Sequence, residues 1–218
     1  MKAVIVANGE HAPGDERELA GAPRVYAADG GAEWLETLGV RPDGLVGDLD
    51  STDPEVVASM AAAGTIVERH PVDKDASDLE LALAAAAAAG ADDIVILGAV
   101  GGDLDHLLAN VLLLGGRAAG GGAMRLVSGT TTARLVIGPG QLDLAAPVGS
   151  RVSLLPVGPA AEGVTTSGLR WPLDGERLEA GSTRGLANEV HTAPARVALS
   201  RGRLLVIEIR GADGGPDR

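Results

Sequence analysis

Cysteine is absent from the chain, and phenylalanine with it. Without cysteine there is no disulfide framework, no thiolate zinc site and no cysteine nucleophile, so any metal must rest on oxygen or histidine. Aromatic side chains are confined to Tyr26, Trp34 and Trp171, which leaves Leu, Val, Ile and Ala to build the core. Lysine is nearly missing too, with only Lys2 and Lys74 among 18 basic residues. No apolar run approaches the roughly 20 residues of a membrane span. The opening MKAVIVANGE interrupts its apolar stretch at Asn8, too early for a signal-peptide core. The expectation is a cytoplasmic protein whose first segment is a buried strand.

What is present fits a globular chain. Its 218 residues are 45% hydrophobic and 22% charged, enough for one large domain or two modest ones and unlike a disordered composition. The net charge of −12 argues against general nucleic-acid binding, which depends on Lys and Arg neutralising phosphates. The charge is unevenly spread: residues 1–110 carry 21 acids and six bases, while residues 111–218 carry nine acids and 12 arginines. Most of the glutamates read as solvated surface, but many of the aspartates sit beside glycine at strand ends.

Short aliphatic runs at 3–7, 24–28, 44–46, 65–68 and 93–97 alternate with helical patterns. Runs that are apolar on nearly every position predict a parallel sheet covered on both faces, and hence an α/β fold. One helix is predicted to begin after Ser77, with Glu80 completing a capping box, and to end at Gly90. Another is predicted from about Asp105 to Gly115. Beyond residue 123 the pattern becomes alternating and antiparallel: MRLVS, ARLVIG, QLDLAA, RVSLLPV, GVTTSG and RVALSRGRLLVIEIR, the last read as a hairpin turning at Arg201-Gly202. The fold class expected is therefore α/β, with an N-terminal, mostly parallel sheet flanked by helices and a C-terminal antiparallel β-sandwich. The glycine-rich GGRAAGGGA marks the region of the boundary, and domains 1–128 and 129–218 are expected, followed by a frayed GADGGPDR tail.

Walker, dinucleotide-binding and HExxH signatures are missing. In their place stand Asp-rich turns at the predicted carboxyl ends of strands: Asn8-Gly9, Asp29-Gly30-Gly31, Gly47-Asp48-Leu49-Asp50-Ser51 and Gly101-Gly102-Asp103-Leu104-Asp105-His106. Ligands bind at that edge of an open α/β sheet. An extended Asp48-x-Asp50 would aim both carboxylates the same way, and paired hard oxygens suit Mg²⁺ that also holds phosphate. Lys74, lodged among acids ahead of the Ala-rich helix, reads as a phosphate or carboxylate partner, while Ser77 and Asp78 also suit a helix N-terminus.

Together these turns resemble the thiamine pyrophosphokinase family. The resemblance rests on an ADGGA turn at 28–32, a Pro-Asp-x-x-x-Gly-Asp-x-Asp-Ser stretch at 42–51, a Lys-Asp-x-Ser-Asp helix start at 74–78 and a Gly-Gly-x-x-Asp-His turn followed by Leu-x-x-Asn at 101–110. SLLP, GLRWPL and GLANE follow in the same order, so nearly the whole chain is covered. The resemblance implies Mg²⁺-dependent transfer of a pyrophosphoryl group from ATP to the hydroxyl of thiamine, by a homodimer with active sites shared between subunits. By the same carry-over, Asp48, Asp50 and Asp78 are metal ligands and the catalytic centre. Asn8, Lys74, Asp105, His106 and Asn110 line the nucleotide side. Asp29 and Asp78 face thiamine, and Trp171 and Asn188 contact it or support the loop that does. Trp171 reads equally well as a sandwich core residue.

Two positions depart from the family pattern. Asp103 stands where Arg is usual and Ala187 where Ser is usual, which removes a phosphate partner that Arg17 or Arg134 would have to replace. Asp103 is expected to turn away from the phosphates, capping the next turn or pairing with a C-terminal arginine. Either departure fits a related pyrophosphokinase acting on another hydroxymethyl heterocycle. Asp48-Leu49-Asp50-Ser51-Thr52 also fits the DxDxT pattern of haloacid-dehalogenase-type phosphatases, where Asp48 would be the nucleophile.

Overall fold

A computed structural model describes residues 1–115 and 122–211. The chain divides into two compact units, Met1–Gly129 and Thr130–Arg218. Part of the glycine-rich 115–123 segment and nearly all of the GADGGPDR tail lie outside the described residues.

In the first unit β1 (Lys2–Val6), β2 (Arg24–Ala28), α1 (Gly31–Thr37), β3 (Gly44–Gly47), α2 (Pro54–Ala62), β4 (Ile66–Arg69), α3 (Asp78–Ala88), β5 (Asp93–Leu97), α4 (Leu104–Leu113) and β6 (Ala123–Ser128) follow one another. Their strands form a parallel sheet in the order β6-β5-β1-β2-β3-β4. Successive strand residues face opposite sides. Val4, Val6, Val25, Ala27, Val95 and Leu97 share one core with Ala32 and Leu35 of α1 and Val56, Val57 and Met60 of α2. The intervening Ala3, Ile5, Tyr26, Ile94 and Ile96 are buried as well, and α3 packs against β1, β2 and β3. Both faces being covered explains why these strands read as continuous apolar runs.

The edge strand β4 corrects the reading of five uniformly buried strands. Its sequence IVER is largely exposed, with Ile66 74% accessible, because among the described residues no strand lies beyond it. The helix starts follow the sequence. Ser77 Oγ accepts the Glu80 N–H at 3.2 Å, and Asp53 Oδ1 accepts the Glu55 N–H at 2.8 Å. In contrast to α3, α4 buries none of its own residues; Leu104, Leu108 and Leu112, one turn apart, stay exposed. Among the described residues no helix is long and apolar enough to cross a membrane.

The second unit is entirely antiparallel. It comprises β7 (Thr131–Ile137), β8 (Gly140–Asp143), β9 (Arg151–Pro156), β10 (Ala161–Ser167), β11 (Glu176–Leu178), β12 (Asn188–Glu189), β13 (Arg196–Leu199) and β14 (Arg203–Ile209). One set of strands runs β12-β9-β14-β7 and the other β11-β10-β13-β8. Val136, Val152, Leu154, Leu204 and Val206 from the first set share a single core with Ala161, Val164, Leu178, Val197 and Leu199 from the second. This is sandwich packing.

The hairpin expected at Arg201-Gly202 does not form. β13 pairs with β10 and β8, whereas β14 pairs with β7 and β9, so the chain changes sheets there. Gly202 permits the sharp passage: its φ is +93°, and a Cβ on it would lie 2.6 Å from the Ala160 carbonyl oxygen. Turn residues mark a reversal but not the partner of the strand that follows.

Candidate active site

The first unit's strand order reverses at β1, whose neighbours β2 and β5 are reached by connections running in opposite directions along the sheet. Such a switch point opens a crevice at the carboxyl ends of the strands. A cavity of about 320 Å³ lies there. It is lined by Asn8 after β1, Asp29 after β2, Asp48 and Asp50 after β3, Asp78 at the start of α3, Gly101 to Asp103 after β5, and His106 and Asn110 of α4.

Close backbone packing holds these turns together. The Gly9 N–H donates to the Gly98 carbonyl at 2.6 Å and the Glu10 N–H to Val100 at 2.8 Å, tying the turn after β1 to that after β5. Gly30 and Gly31 are required by proximity. A Cβ on Gly30 would stand 2.2 Å from Asn8 Oδ1, and one on Gly31 would stand 2.1 Å from the Val6 carbonyl oxygen. Asp29 (φ 45°) and Leu49 (φ 62°) occupy left-handed backbone that costs a non-glycine residue about 1–2 kcal/mol. Such strain persists where surrounding structure enforces it, commonly at functional sites.

Asp29, Asp48 and Asp78 converge, with one oxygen from each lying within 4.8 Å of the others. Lys74 Nζ reaches both Asp48 Oδ2 at 2.5 Å and Asp78 Oδ1 at 2.9 Å, and the three side chains are only 13%, 12% and 25% accessible. The hydrogen bond from Lys74 holds the Asp48 carboxyl below the usual carboxylate range against the opposing effect of desolvation. Burial works against the Lys74 ammonium, but its hydrogen bonds to Asp48 and Asp78 outweigh that and raise its pKa. Thr52, buried beneath the site, donates from Oγ1 to Asp29 Oδ1 at 3.3 Å. This contact had no signal in the sequence beyond a hydroxyl two residues after Asp50.

Asp48 and Asp50 do not project from an extended segment as their spacing suggested. Left-handed Leu49 turns the chain between them, the Asp50 N–H points at Asp48 Oδ1 (3.4 Å), and Asp50 Oδ1 accepts from Ser51 Oγ at 3.2 Å. Asp50 still lines the cavity but lies outside the three-carboxylate group. Asn110 donates from Nδ2 to the Ala99 carbonyl at 3.1 Å, fixing α4 to the turn after β5. Asp105 is exposed and accepts the His106 N–H at 2.9 Å.

Asp103 overturns the expectation that it turns away. It occupies the N-cap position of α4 without a side-chain cap hydrogen bond and lines the cavity. It forms no ion pair among the described residues. Instead it offers an oxygen within 4.8 Å of ligand atoms of Asp105 and His106. Arg134, considered as a substitute cation, is committed elsewhere: it pairs with buried Glu208, which also accepts the Ala146 N–H at 2.7 Å.

In the second unit Trp171 is 52% accessible, not a core residue, and the Arg170 guanidinium lies 5.3 Å from its ring centroid. Asn188 is buried and clamps the Trp171 backbone, donating to its carbonyl at 2.7 Å and accepting its N–H at 3.1 Å. Ala187 beside it is left-handed (φ 57°) and its N–H donates to Ser153 Oγ at 3.1 Å.

Comparison with known proteins follows the same division. The family profile described as thiamin pyrophosphokinase, catalytic domain, matches residues 16–119, and that described as thiamin pyrophosphokinase, vitamin B1 binding domain, matches residues 141–204. A thiamine pyrophosphokinase from Bacillus subtilis (strain 168) is 28% identical over 180 residues, covering 82% of this chain and 84% of that protein. The crystal structure of the Bacillus subtilis enzyme aligns with a TM-score of 0.86 at 26% identity, over 97% of this chain and 100% of the other. The crystal structure of thiamin pyrophosphokinase from Geobacillus thermodenitrificans aligns with a TM-score of 0.84 at 30% identity, over 98% of this chain and 99% of the other. With identity at that level sustained over both units, and a family profile matching each, the chain belongs to the thiamine pyrophosphokinase family.

Proposed function

We propose that this chain transfers the pyrophosphoryl group of ATP to the hydroxyl of thiamine, giving thiamine diphosphate and AMP. Bond making and breaking balance at one atom: the thiamine oxygen bonds to the β-phosphorus as the bond from that phosphorus to the oxygen retained by AMP breaks. The observation that carries the reading is the Asp29, Asp48 and Asp78 group at the switch point of a parallel sheet. Three hard carboxylate oxygens so close together suit Mg²⁺, which prefers oxygen donors and shares its shell with phosphates. Bound there, the metal would neutralise phosphate charge as the pyrophosphoryl group moves.

In this reading Asp48 and Asp78 hold the metal with Asp29 beside them, and Asp50 faces the same cavity from its rim. Asn8, Lys74, Asp105, His106 and Asn110 serve the nucleotide side of the first unit, the catalytic, nucleotide-binding domain. Asp29 and Asp78 are also the groups placed to meet thiamine. The second unit is the thiamine-binding domain, in which Asn188 holds the Trp171 loop in shape and exposed Trp171 offers a ring face to the substrate. A homodimer with shared active sites is supported by the uncovered Leu104, Leu108 and Leu112 face of α4 and by the opposed charge of the acidic N-terminal and basic C-terminal parts. Cytoplasmic location completes the proposal. Family membership displaces the phosphatase reading of Asp48.

Incubation with ATP, Mg²⁺ and thiamine tests it. Equimolar AMP and thiamine diphosphate are expected. ADP with thiamine monophosphate would mean transfer of a single phosphoryl group and overturn the assignment, as would full turnover in EDTA.

A further inference from the structure

Lys74 occupies the position between two carboxylates that a divalent cation would also seek. Its Nζ lies 2.5 Å from Asp48 Oδ2 and 2.9 Å from Asp78 Oδ1. It is the cation that pairs with this group among the described residues; no arginine does so. Three clustered carboxylates and one ammonium leave an excess of negative charge, which a doubly charged ion would offset more fully. An ammonium and a divalent ion cannot both sit against the same oxygens without strong mutual repulsion in so shielded a place.

The chemistry of the side chain fits a group that moves. Lysine is a compact point charge on a flexible four-carbon stem, whereas the planar fork of arginine favours fixed bidentate pairing. Lys74 belongs to the segment between β4 and α3, which has no regular secondary structure from His70 through Ser77. Its shift therefore breaks no helix or sheet hydrogen bond. An ammonium released at the cavity finds new acceptors when nucleotide phosphates arrive.

We propose that Lys74 is an exchangeable cation: a divalent metal displaces its ammonium from Asp48 and Asp78, and the displaced ammonium then engages the nucleotide phosphates, coupling metal and nucleotide binding. This rests on the metal site proposed above and adds a role that carboxylates alone cannot perform. Coupling of this kind is reciprocal, so nucleotide also tightens metal binding.

The scarcity of lysine makes the exchange directly measurable. Lys2, paired with Glu18 at 2.9 Å, serves as an internal reference. In the full chain, reductive dimethylation of Lys74 followed by mass spectrometry is expected to be slow in EDTA and at least three-fold faster with Mg²⁺. It should be slow again with Mg²⁺ and a nonhydrolysable ATP analogue, while Lys2 stays constant. Calorimetry with Mg²⁺ alone supplies a second readout: Lys74→Gln should bind the ion at least three-fold more tightly than wild type, although its metal-free thermal midpoint falls. A purely structural lysine would lower the midpoint without tightening metal binding. Mg²⁺ binding with unchanged Lys74 labelling overturns the exchange alone. Failure of the wild type to bind Mg²⁺ overturns the metal site and the exchange together.

Discussion

Acidic side chains are treated differently at the cavity of the first unit and in the second unit. In the second, carboxylates are matched with arginines: Glu208 with Arg134, Glu189 with Arg170, Glu176 with Arg184, Asp143 with Arg196, and both Glu162 and Glu179 with Arg177. Asp29, Asp48, Asp50, Asp78 and Asp103 line the cavity of the first, and among the described residues Lys74 is the one cation that pairs with any of them, at Asp48 and Asp78. Charge that is already answered holds a fold together, and charge left short of partners waits for a ligand. The content of acids therefore says less about function than the shortage of cations beside them.

The largest effect should come from the unanswered group. Asp48→Asn is expected to lower turnover about 10³-fold, equivalent to ~4 kcal/mol, while changing folding stability by no more than ~1 kcal/mol. Asp50→Asn should cost only about ten-fold, or ~1.4 kcal/mol, because its carboxylate stands outside the convergent three. Steady-state rates at saturating Mg²⁺ together with urea unfolding separate the two; equal losses would put the weight back on the Asp-x-Asp spacing.

The second unit should respond in the opposite sense. Glu208→Ala strands the half-buried Arg134 guanidinium and the Ala146 N–H, so unfolding free energy should drop by about 3 kcal/mol. Mg²⁺ affinity measured by calorimetry on the folded protein should stay at the wild-type value. A change in metal affinity would blur the division between structural and ligand-seeking acids.

The smallest effect belongs to His11, whose ring stacks on Trp34 with centroids 4.1 Å apart. Burial lowers its pKa, and nearby Asp15 only partly opposes this. The unfolded chain therefore takes up the proton first as pH falls below about 6.5. The stability His11 contributes is present above that value and is lost as pH drops toward the lower folded-state pKa. Urea midpoints between pH 7 and pH 5 should fall less steeply in His11→Gln than in wild type.

Much of this was readable because each local signal agreed with its surroundings. Strands covered on both faces are apolar throughout, so β1, β2, β3 and β5 were visible as runs, and Ser77 with Glu80 announced α3. The clustering of Asp-rich turns also followed, since parallel strands deliver their carboxyl ends to one edge. Reading failed where a single dihedral decided the outcome. Nothing in Asp48-Leu49-Asp50 reveals that Leu49 is left-handed, or that Asp29, from a different strand, joins Asp48 and Asp78 in the convergent group while Asp50 lines the same cavity. Asp103 was misread as well: it was expected to turn away and cap the next turn or pair with an arginine, yet it makes no side-chain cap hydrogen bond and lines the cavity. For Trp171 the sequence left a thiamine contact and a sandwich-core place equally open, and the structure excludes the second: Asn188 holds its backbone while the ring stays exposed.

The change of sheets between β13 and β14 governs how the second unit can assemble. β14 is the central strand between β7 and β9, yet it follows both of them in sequence by more than 40 residues, and β9 also pairs with β12 from residues 188–189. Few of its partners are close in sequence, so the entropy of closing long loops precedes the gain from pairing, which slows folding. A chain ending before residue 203 would leave β7 and β9 with unpaired edges and the sandwich open, conditions that favour aggregation over a stable partial fold. The last strand is thus the latch of the whole sandwich, and premature termination should yield insoluble protein even though every residue around the cavity has already been made.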